Sequence, residues 1–296
     1  MASLLHSRRG FQLMRTAGLE RQLTVIRPPA SRVAGLASHL RELPRYLDLL
    51  YVLTRHRVHV RYKQSALGFA WAVLQPLLLM LIFTFVFGLI SGRLPSEGLP
   101  YPVFVYAAVL PWTFFSTCVS NATGSLIGHA NLITKVWFPR ELLPVSYVTA
   151  ALFDLFIASL LLFVLMAWHE VTPGSHAWLA GPITILIAVL ALSVGLFAAA
   201  LQVRFRDIGL AVPLLLQVWM FLSPVVYSYD RVPEQWRLLY SLNPMAGLID
   251  GFRRAVVQDR SPDWSLLGLS ASLTLLVLPA AYVYFKSVDA TLADRM

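Results

Sequence analysis

The chain has 296 residues, of which 57% are hydrophobic and only 13% are charged, and its mean hydropathy is +0.66. Soluble domains carry about 25% charged residues, so this composition excludes a surface that is covered entirely by water. The formal net charge is +9, and the single cysteine, Cys118, excludes an intrachain disulfide.

The first 44 residues are predicted to be a basic tail. They hold several arginines but no apolar run of the length that a secretory signal needs. An arginine-rich, acid-poor segment is also found in mitochondrial presequences, but a cytoplasmic tail is the simpler interpretation. The chain therefore divides into a tail (1–44), a transmembrane domain (45–290) and a short cytoplasmic C-terminal tail (291–296).

An amphipathic helix is predicted to follow the tail and to lie along the membrane interface, with basic groups toward anionic lipids. One face of this helix carries Leu47, Leu50, Tyr51, Thr54 and Val58, which recur at helical spacing. A neighbouring face carries Asp48, Arg55, His59 and Lys63.

Six later stretches are apolar and near the roughly 20 residues that a helix needs to cross a bilayer. They cover 66–91, 101–122, 143–168, 178–203, 209–229 and 265–285. Prolines inside them are predicted to kink the helices without ending them, because neighbouring helices satisfy the freed carbonyls. These prolines include Pro76, Pro111, Pro213 and Pro224.

The positions of lysine and arginine predict the orientation of these spans, since basic residues are in excess on the cytoplasmic side. Residues 1–65 hold 12 of them, and both termini with the second and fourth loops together hold 18 of 24. Both termini are therefore predicted to be cytoplasmic. Topology explains the basic excess, so no nucleic-acid partner is needed.

The loop before the last span is too long and too basic for a simple tether. Its apolar stretches 238–240 and 245–249 are too short to span the membrane. They are typical of a re-entrant or interfacial helical hairpin, which persists where protein buries it. An ordinary amphipathic loop is the alternative.

Catalytic motifs are missing from the sequence. The sequence has no G-x-x-x-x-G-K-[ST] phosphate loop, which argues against ATP hydrolysis by this chain alone. It also has no H-E-x-x-H motif and no Cys/His cluster with metal-ligand spacing, which argues against a metal site. Asp154 lies near the middle of the third predicted span, where a charge costs about 2.5–3.5 kcal/mol. A functional role and a structural hydrogen bond to a neighbouring helix both remain open for it.

Four segments together resemble the polysaccharide-export permeases of ATP-binding-cassette transporters, such as the O-antigen and teichoic-acid exporters. The first is VRYKQSALGFAWAVLQP at 60–76, and the second is NLITKVWFPRELLP at 131–144. The others are RFRDI at 204–208 and SLNPM at 241–245. The resemblance covers about residues 45–290 and leaves the basic tail outside it.

The resemblance implies an all-α integral membrane protein of six spans, in the bacterial inner membrane, that works as a homodimer. It also implies two partner ATPase subunits, which would bind the ATP and Mg so that this chain holds no cofactor. The implied cargo is a glycan on an undecaprenyl diphosphate lipid. The chain itself would contact membrane lipids, and no nucleic-acid partner is expected.

Residues 123–142 are predicted to be the element that couples the chain to the ATPase, with Asn131 as a helix cap and the helix ending near Pro139. Trp137 and Phe138 would form an apolar knob, and Lys135, Arg140 and Glu141 a charged rim. A loop anchored by its aromatic residues at the headgroups is the alternative.

Three cations at the start of the first span, Arg57, Arg61 and Lys63, are candidates for binding a lipid diphosphate. General attraction to anionic lipids explains them equally well.

Aromatic side chains are candidates for a glycan conduit, because their faces stack on sugar rings. The conduit residues are Tyr106, Trp112, Phe115, Trp219 and Tyr227, with Tyr101, Phe104, Phe114 and Tyr229 beside them. Aromatic residues also gather at membrane interfaces without such a role. Asn243 and Pro244, in the predicted hairpin, are candidates for a periplasmic gate.

Three other functions are weighed against export of a glycan. A membrane-embedded enzyme of envelope synthesis would need metal-binding acids or a His/Asp pair. An ATP-driven permease for a drug or small lipid differs only in cargo. A secondary transporter would usually carry inverted repeats and several buried charges.

Overall fold

The protein, seen here as a computed structural model, is described over residues 46–63, 68–91 and 98–289, and within these ranges its regular structure is helical. The predicted tails 1–44 and 291–296 lie outside the described residues. The helices are α1 (Leu47–Lys63), α2 (Ala70–Ser91), α3 (Tyr101–Thr123), α4 (Ala130–Lys135), α5 (Leu142–Trp168), α6 (Ala180–Arg204), α7 (Ile208–Phe221), α8 (Glu234–Ser241), α9 (Pro244–Val257) and α10 (Trp264–Asp289). Short 3₁₀ turns cover Ile127–His129, Ala177–Leu179 and Tyr229–Arg231.

Five helices are long and apolar enough to cross a membrane: α2, α3, α5, α6 with the 3₁₀ turn before it, and α10. They coincide with five of the predicted spans, and the all-α membrane fold class is confirmed. Pro76 and Pro111 lie inside α2 and α3 without ending them, as predicted.

The remaining predicted span, 209–229, is wrong in extent. Its helix, α7, has 14 residues and ends at Phe221, so at 1.5 Å per residue it is only about 21 Å long. Pro224 is the reason, because it has no N–H to donate and it restricts the backbone of Ser223 before it. Pro213, by contrast, lies within α7.

Helix α3 occupies the centre of the bundle. Seventeen of its 23 residues are buried, and it packs against α2, α5, α6, α7 and α9. Small residues let its neighbours approach closely: a Cβ added to Gly195 of α6 would collide with the side chain of Ala122. Cys118 is fully buried in this core.

The helix predicted after the tail is present as α1, and only part of its predicted apolar face packs on the bundle. Leu50 packs against neighbouring helices and Thr54 Oγ1 lies 2.8 Å from Thr149 Oγ1 of α5. Leu47 and Tyr51, predicted on the same face, are 58% and 64% exposed. Polar contacts to α5 position α1, and apolar periodicity does not detect such contacts.

The predicted helical hairpin is present as α8 and α9, and its second helix is deeply buried. Twelve of the 14 residues of α9 are buried, and the helix packs against α3, α6 and α10. We call the end of the bundle that holds α1, α4 and the last turn of α10 the loop end. The opposite end, with residues 169–176, is the far end.

The contacts of α9 establish the depth of the hairpin. Trp219 Nε1 donates to Asn243, just before α9, and the Trp219 ring lies 6.4 Å from that of Trp112 in the middle of α3. Further along α9, the Arg253 guanidinium lies 4.0 Å from the ring centroid of Phe104, near the far end of α3. The hairpin therefore turns inside the bundle and returns to the far end, which is re-entrant geometry.

Gly247 allows α9 to lie directly against α10. A Cβ there would collide with Ser270 Oγ and lie 2.7 Å from the Leu266 carbonyl oxygen. We expect Gly247→Ala to lower the free energy of unfolding by about 1–3 kcal/mol, as overpacking does, measured by thermal unfolding in detergent.

The matched control is Gly268→Ala on α10, where a Cβ would meet open space. Alanine in a helix is favoured over glycine by about 1 kcal/mol, so this variant should be at least as stable as the parent. Equal stability of the Gly247 and Gly268 variants would contradict the close approach.

Candidate functional site

The loop end brings together most of the residues predicted to carry function. Residues 123–142 form the 3₁₀ turn Ile127–His129, helix α4, and an extended segment before α5. The predicted cap is wrong: α4 begins at Ala130 with His129 at the cap position, and Asn131 lies in its first turn. The preceding 3₁₀ turn leads straight into α4, which places the start of the helix two residues earlier than a cap at Asn131 would. The helix ends at Lys135 because Val136 is extended, so the predicted end near Pro139 is also too late.

The predicted apolar knob is divided between surface and core. Trp137 is 66% exposed, whereas Phe138 is 6% exposed and packs with Leu142 and Phe285. Phe138 is buried because it packs against the start of α5 and the end of α10. Phe138 therefore stabilises the fold, and the exposed apolar surface consists of Trp137 and its neighbour Val136.

The predicted charged rim is also corrected, because two of its members bind α10. Lys286 Nζ lies 2.7 Å from Glu141 Oε2, and Tyr282 donates to Glu141 Oε1 at 3.2 Å. Arg140 donates to the carboxylate and backbone carbonyl of Asp289 at 2.9 and 2.7 Å. Pro139 is half-buried, whereas Asn131 and Lys135 of the predicted set are exposed, together with Thr134.

Two of the three predicted phosphate-binding cations are engaged on α5. Arg57 donates to Ser146 Oγ at 2.6 Å and lies 3.3 Å from the ring centroid of Tyr147. The Tyr147 ring in turn meets His129 of the loop edge to face. Burial lowers the pKa of His129 more than its bond to the Ser125 carbonyl raises it, so the ring is neutral at pH 7. This stack connects α1 with the loop.

Asp154 accepts hydrogen bonds from Arg61 and Tyr62 of α1. Of the two interpretations left open by the sequence, the structure shows the hydrogen bond to a neighbouring helix. Arg61 is therefore not free to clamp a phosphate with its full guanidinium. Among the three predicted cations, Arg61 and Lys63 are exposed and Arg57 is half-buried.

A groove of about 550 Å³ lies between α1, the residues before α2, and α5. Arg55, His59 and Lys63 line it at four-residue intervals along α1. Its remaining lining residues are Tyr51, Thr54, Val58, Tyr62, Phe69 and Phe153. Arg55 and His59 belong to the predicted polar face of α1 but not to the predicted phosphate-binding set, although their four-residue spacing with Lys63 is visible in the sequence.

The aromatic conduit prediction is wrong for the residues of α3. Tyr106 and Phe115 are fully buried and Trp112 is 3% exposed, so no sugar ring can reach them within one chain. The Tyr106 hydroxyl donates to the Ala158 carbonyl at 2.9 Å. Tyr101, Phe104 and Phe114 are buried as well. The central position of α3 is the reason, since every side of it meets another helix.

The aromatic candidates outside α3 are only partly buried. Trp219 packs edge to face on Phe115 with ring centroids 5.2 Å apart. The Tyr227 hydroxyl lies 2.8 Å from that of Tyr240, and Tyr229 packs on the same Tyr240 ring. These residues fasten the hairpin to the rest of the bundle.

Asn243, predicted to gate the outer mouth, joins the hairpin to the end of α7. Its Oδ1 accepts from Met245 N–H at 3.1 Å and Trp219 Nε1 at 2.9 Å. Its Nδ2 donates to the Leu222 carbonyl and to Ser223 Oγ, both at 2.9 Å. Pro244 follows as the first residue of α9, where its missing N–H is not needed.

The other end of α9 is also fastened. Gly174 N–H donates to the Val256 carbonyl at 3.0 Å, and Asp259 Oδ1 accepts from Ser175 N–H at 2.6 Å and Oγ at 2.9 Å. These bonds lower the pKa of Asp259. Asn243 and Pro244 thus lie at a fixed joint of the fold. The large exposed apolar side chains of the hairpin are in α8, such as Leu238 at 79%.

Among the described residues, no group of three or more His, Cys, Asp or Glu side chains lies close enough to hold a metal ion. The polar groups described at the loop end are instead paired across helices, as Glu141 is with Lys286, or exposed, as Lys135 is.

Comparison with known proteins gives one family and several relatives. The family described as ABC-2 type transporter matches residues 48–257. The O-antigen export system permease protein RfbA of Myxococcus xanthus is 31% identical over 251 residues, which covers 84% of this chain and 95% of that protein. A protein of the same name from Klebsiella pneumoniae is 31% identical over 208 residues, 70% of this chain and 79% of that protein. The polysialic acid transport protein KpsM of Escherichia coli is 24% identical over 229 residues, 75% and 86% respectively.

The Arg61–Asp154 contact generates a test of how α1 is held. Removing one residue of the pair leaves the other charge without its partner, so Arg61→Ala and Asp154→Ala should each lower the free energy of unfolding by about 1–3 kcal/mol. The double variant should cost less than the sum of the two, because no charge is left alone. Arg55→Ala, an exposed cation of the same helix, is the control and should leave thermal unfolding unchanged. Strictly additive losses would contradict the pairing.

Proposed function

The chain belongs to the ABC-2 type transporter family, and on that premise we propose that it exports a glycan still attached to a lipid diphosphate. Its similarity to O-antigen and polysialic acid export proteins makes it the transmembrane subunit of a polysaccharide exporter, a transport protein and not an enzyme. It is a multi-pass protein of the bacterial inner membrane. The observation that carries this function is the 31% identity across 95% of an O-antigen permease.

We assign the loop end to the cytoplasm, with both termini on that side. Residues 1–65 contain half of the 24 basic residues, and α1, the loop 123–142 and the last turn of α10 share one end of the bundle. A basic excess at one end supports a cytoplasmic location for it.

Energy would come from two ATPase subunits that dock beneath a homodimer of this chain. The sequence lacks the phosphate loop that would hold ATP, so the partner subunits would bind the ATP and Mg. Trp137 supports a docking role for the loop, since it is exposed and tryptophan is enriched among the residues that dominate the binding energy of protein interfaces.

The groove beside α1 is our assignment for the lipid diphosphate. Arg55, His59 and Lys63 present positive or hydrogen-bonding groups in one row, and Phe69 and Phe153 offer apolar surface for the first part of a lipid tail. A diphosphate is attracted to such a row, and charge-assisted bonds to phosphate are about twice as strong as neutral ones. This assignment replaces Arg57 and Arg61, which bind α5.

The docking role predicts a specific loss in Trp137→Ala. Removing an interface anchor costs about 2 kcal/mol or more, which is roughly a 30-fold weaker association. We expect weaker copurification of the ATPase and less ATP-driven export, with normal amounts of the chain in the membrane.

Trp178→Ala, which removes a tryptophan that is 69% exposed at the far end, is the matched control and should retain association. Phe138→Ala should instead lower thermal stability, since this side chain is buried. Undiminished ATPase binding by the Trp137 variant would refute docking at this residue.

The groove assignment predicts a change in substrate concentration dependence. Arg55→Ala and Lys63→Ala should each raise the half-saturating concentration of lipid-linked glycan about fivefold, from about 1 kcal/mol per cation. The measurement is glycan-stimulated ATP hydrolysis by the complex in proteoliposomes.

Arg206→Ala removes an exposed cation in another loop of the same end and serves as the control. Equal effects of all three substitutions would show general attraction to anionic lipids instead of a binding site. A wild-type complex that hydrolyses ATP but never moves glycan would refute the proposed function itself.

A further inference from the structure

A second, smaller apolar cluster lies at the loop end, apart from the main core. It contains residues from four places in the chain: the loop, the start of α5, the end of α6 and the end of α10. Its buried members are Leu126, Ile133, Phe138, Leu142, Leu143, Leu196, Ala199, Ala200 and Phe285. Side chains of α1, including Leu50 and Leu53, pack against it. The cluster holds the ATPase-docking loop against the last span.

Four charged side chains form ion pairs beside this cluster, and we call them the four-charge latch. They are Arg140 and Glu141 from the loop and Lys286 and Asp289 from α10. Glu141 pairs with Lys286 at 2.7 Å and Arg140 with Asp289 at 2.9 Å. Lys286 also lies 3.4 Å from Asp289. The latch is neutral in total, and every charge in it has an opposite neighbour.

The burial of the latch separates it from ordinary surface ion pairs. The Glu141 side chain is 6% exposed and the other three are between 19% and 21% exposed. Exposed pairs contribute little, but partly buried charges that lose a partner are costly, so the latch resists opening. The loop and α10 are therefore bound to move together although 145 residues separate Glu141 from Lys286.

We propose that Arg140 and Glu141 are positioning residues that link the docking loop to α10, so that a displacement of Trp137 by the ATPase moves the last span. The backbone alone connects the loop to α3 before it and to α5 after it. The latch adds a second route, through Lys286 and Asp289, into a helix that packs on both α6 and α9. This inference rests on the proposed function, since it requires an ATPase that docks on the loop.

Inverting the charges in halves tests the latch without changing the net charge of either side. The loop half is Arg140→Glu with Glu141→Arg, and the α10 half is Lys286→Glu with Asp289→Lys. Each half alone sets like charges against each other, whereas all four substitutions together restore opposite pairs. The measured quantity is glycan exported per ATP hydrolysed by the full complex in proteoliposomes.

We expect each half inversion to lower that ratio at least about fivefold, and the complete inversion to recover it to within about twofold, as coupled sites in a double-mutant cycle do. The exposed neighbours Arg206 and Asp207, inverted in the same way, are the control and should leave the ratio unchanged. A merely structural role would change the amount of folded complex and not the ratio.

Unchanged ratios in both half inversions, or no recovery in the complete inversion, would overturn the latch. If a half inversion fails to accumulate in the membrane, the neutral variants Glu141→Gln and Lys286→Gln replace it, and a wild-type ratio in both overturns the proposal equally. Absence of ATP-driven glycan export by the wild-type complex would instead refute the proposed function.

Discussion

A hydrocarbon layer offers no water to a backbone amide or carbonyl, and this constraint is hardest to satisfy where α7 breaks after Phe221. The side chain of Asn243 satisfies it there. One amide group binds the Leu222 carbonyl, the Ser223 hydroxyl, the Trp219 ring nitrogen and the first free N–H of α9. This joint positions the hairpin. The hairpin in turn helps to enclose α3 and to bury the aromatic residues that were predicted to form a conduit.

Hydropathy alone predicted five of the spans, because length and apolar composition are local properties. The end of α7 was not predictable in the same way. Pro213 and Pro224 stand in one apolar run, and only the second ends a helix. The difference depends on Asn243, which is distant in sequence and supplies the polar partners that the broken segment needs. Local periodicity contains no information about such a partner.

Most of the candidate residues gather at the loop end, but the contacts that several of them make could not be predicted from the sequence. Trp137 and Phe138 have similar side chains and adjacent positions, and the packing of the loop against α5 and α10 decides which one is buried. Arg140 and Glu141 look like an exposed rim because their partners on α10 lie almost 150 residues away. The four-residue spacing of Arg55, His59 and Lys63 can be read from the sequence. The groove that they line cannot, because its other walls include Phe69, just before α2, and Phe153 of α5.

The short length of α7 has a consequence for the bilayer around it. Wherever this helix faces lipid, its leucine-rich surface is about 21 Å tall, against a hydrocarbon thickness of about 30 Å. Acyl chains beside Leu214 and Leu215, which are 66% and 64% exposed, must therefore compress or let water reach the turn that follows Phe221. Where lipid covers this flank, the bilayer would be thinner there than beside the long helices.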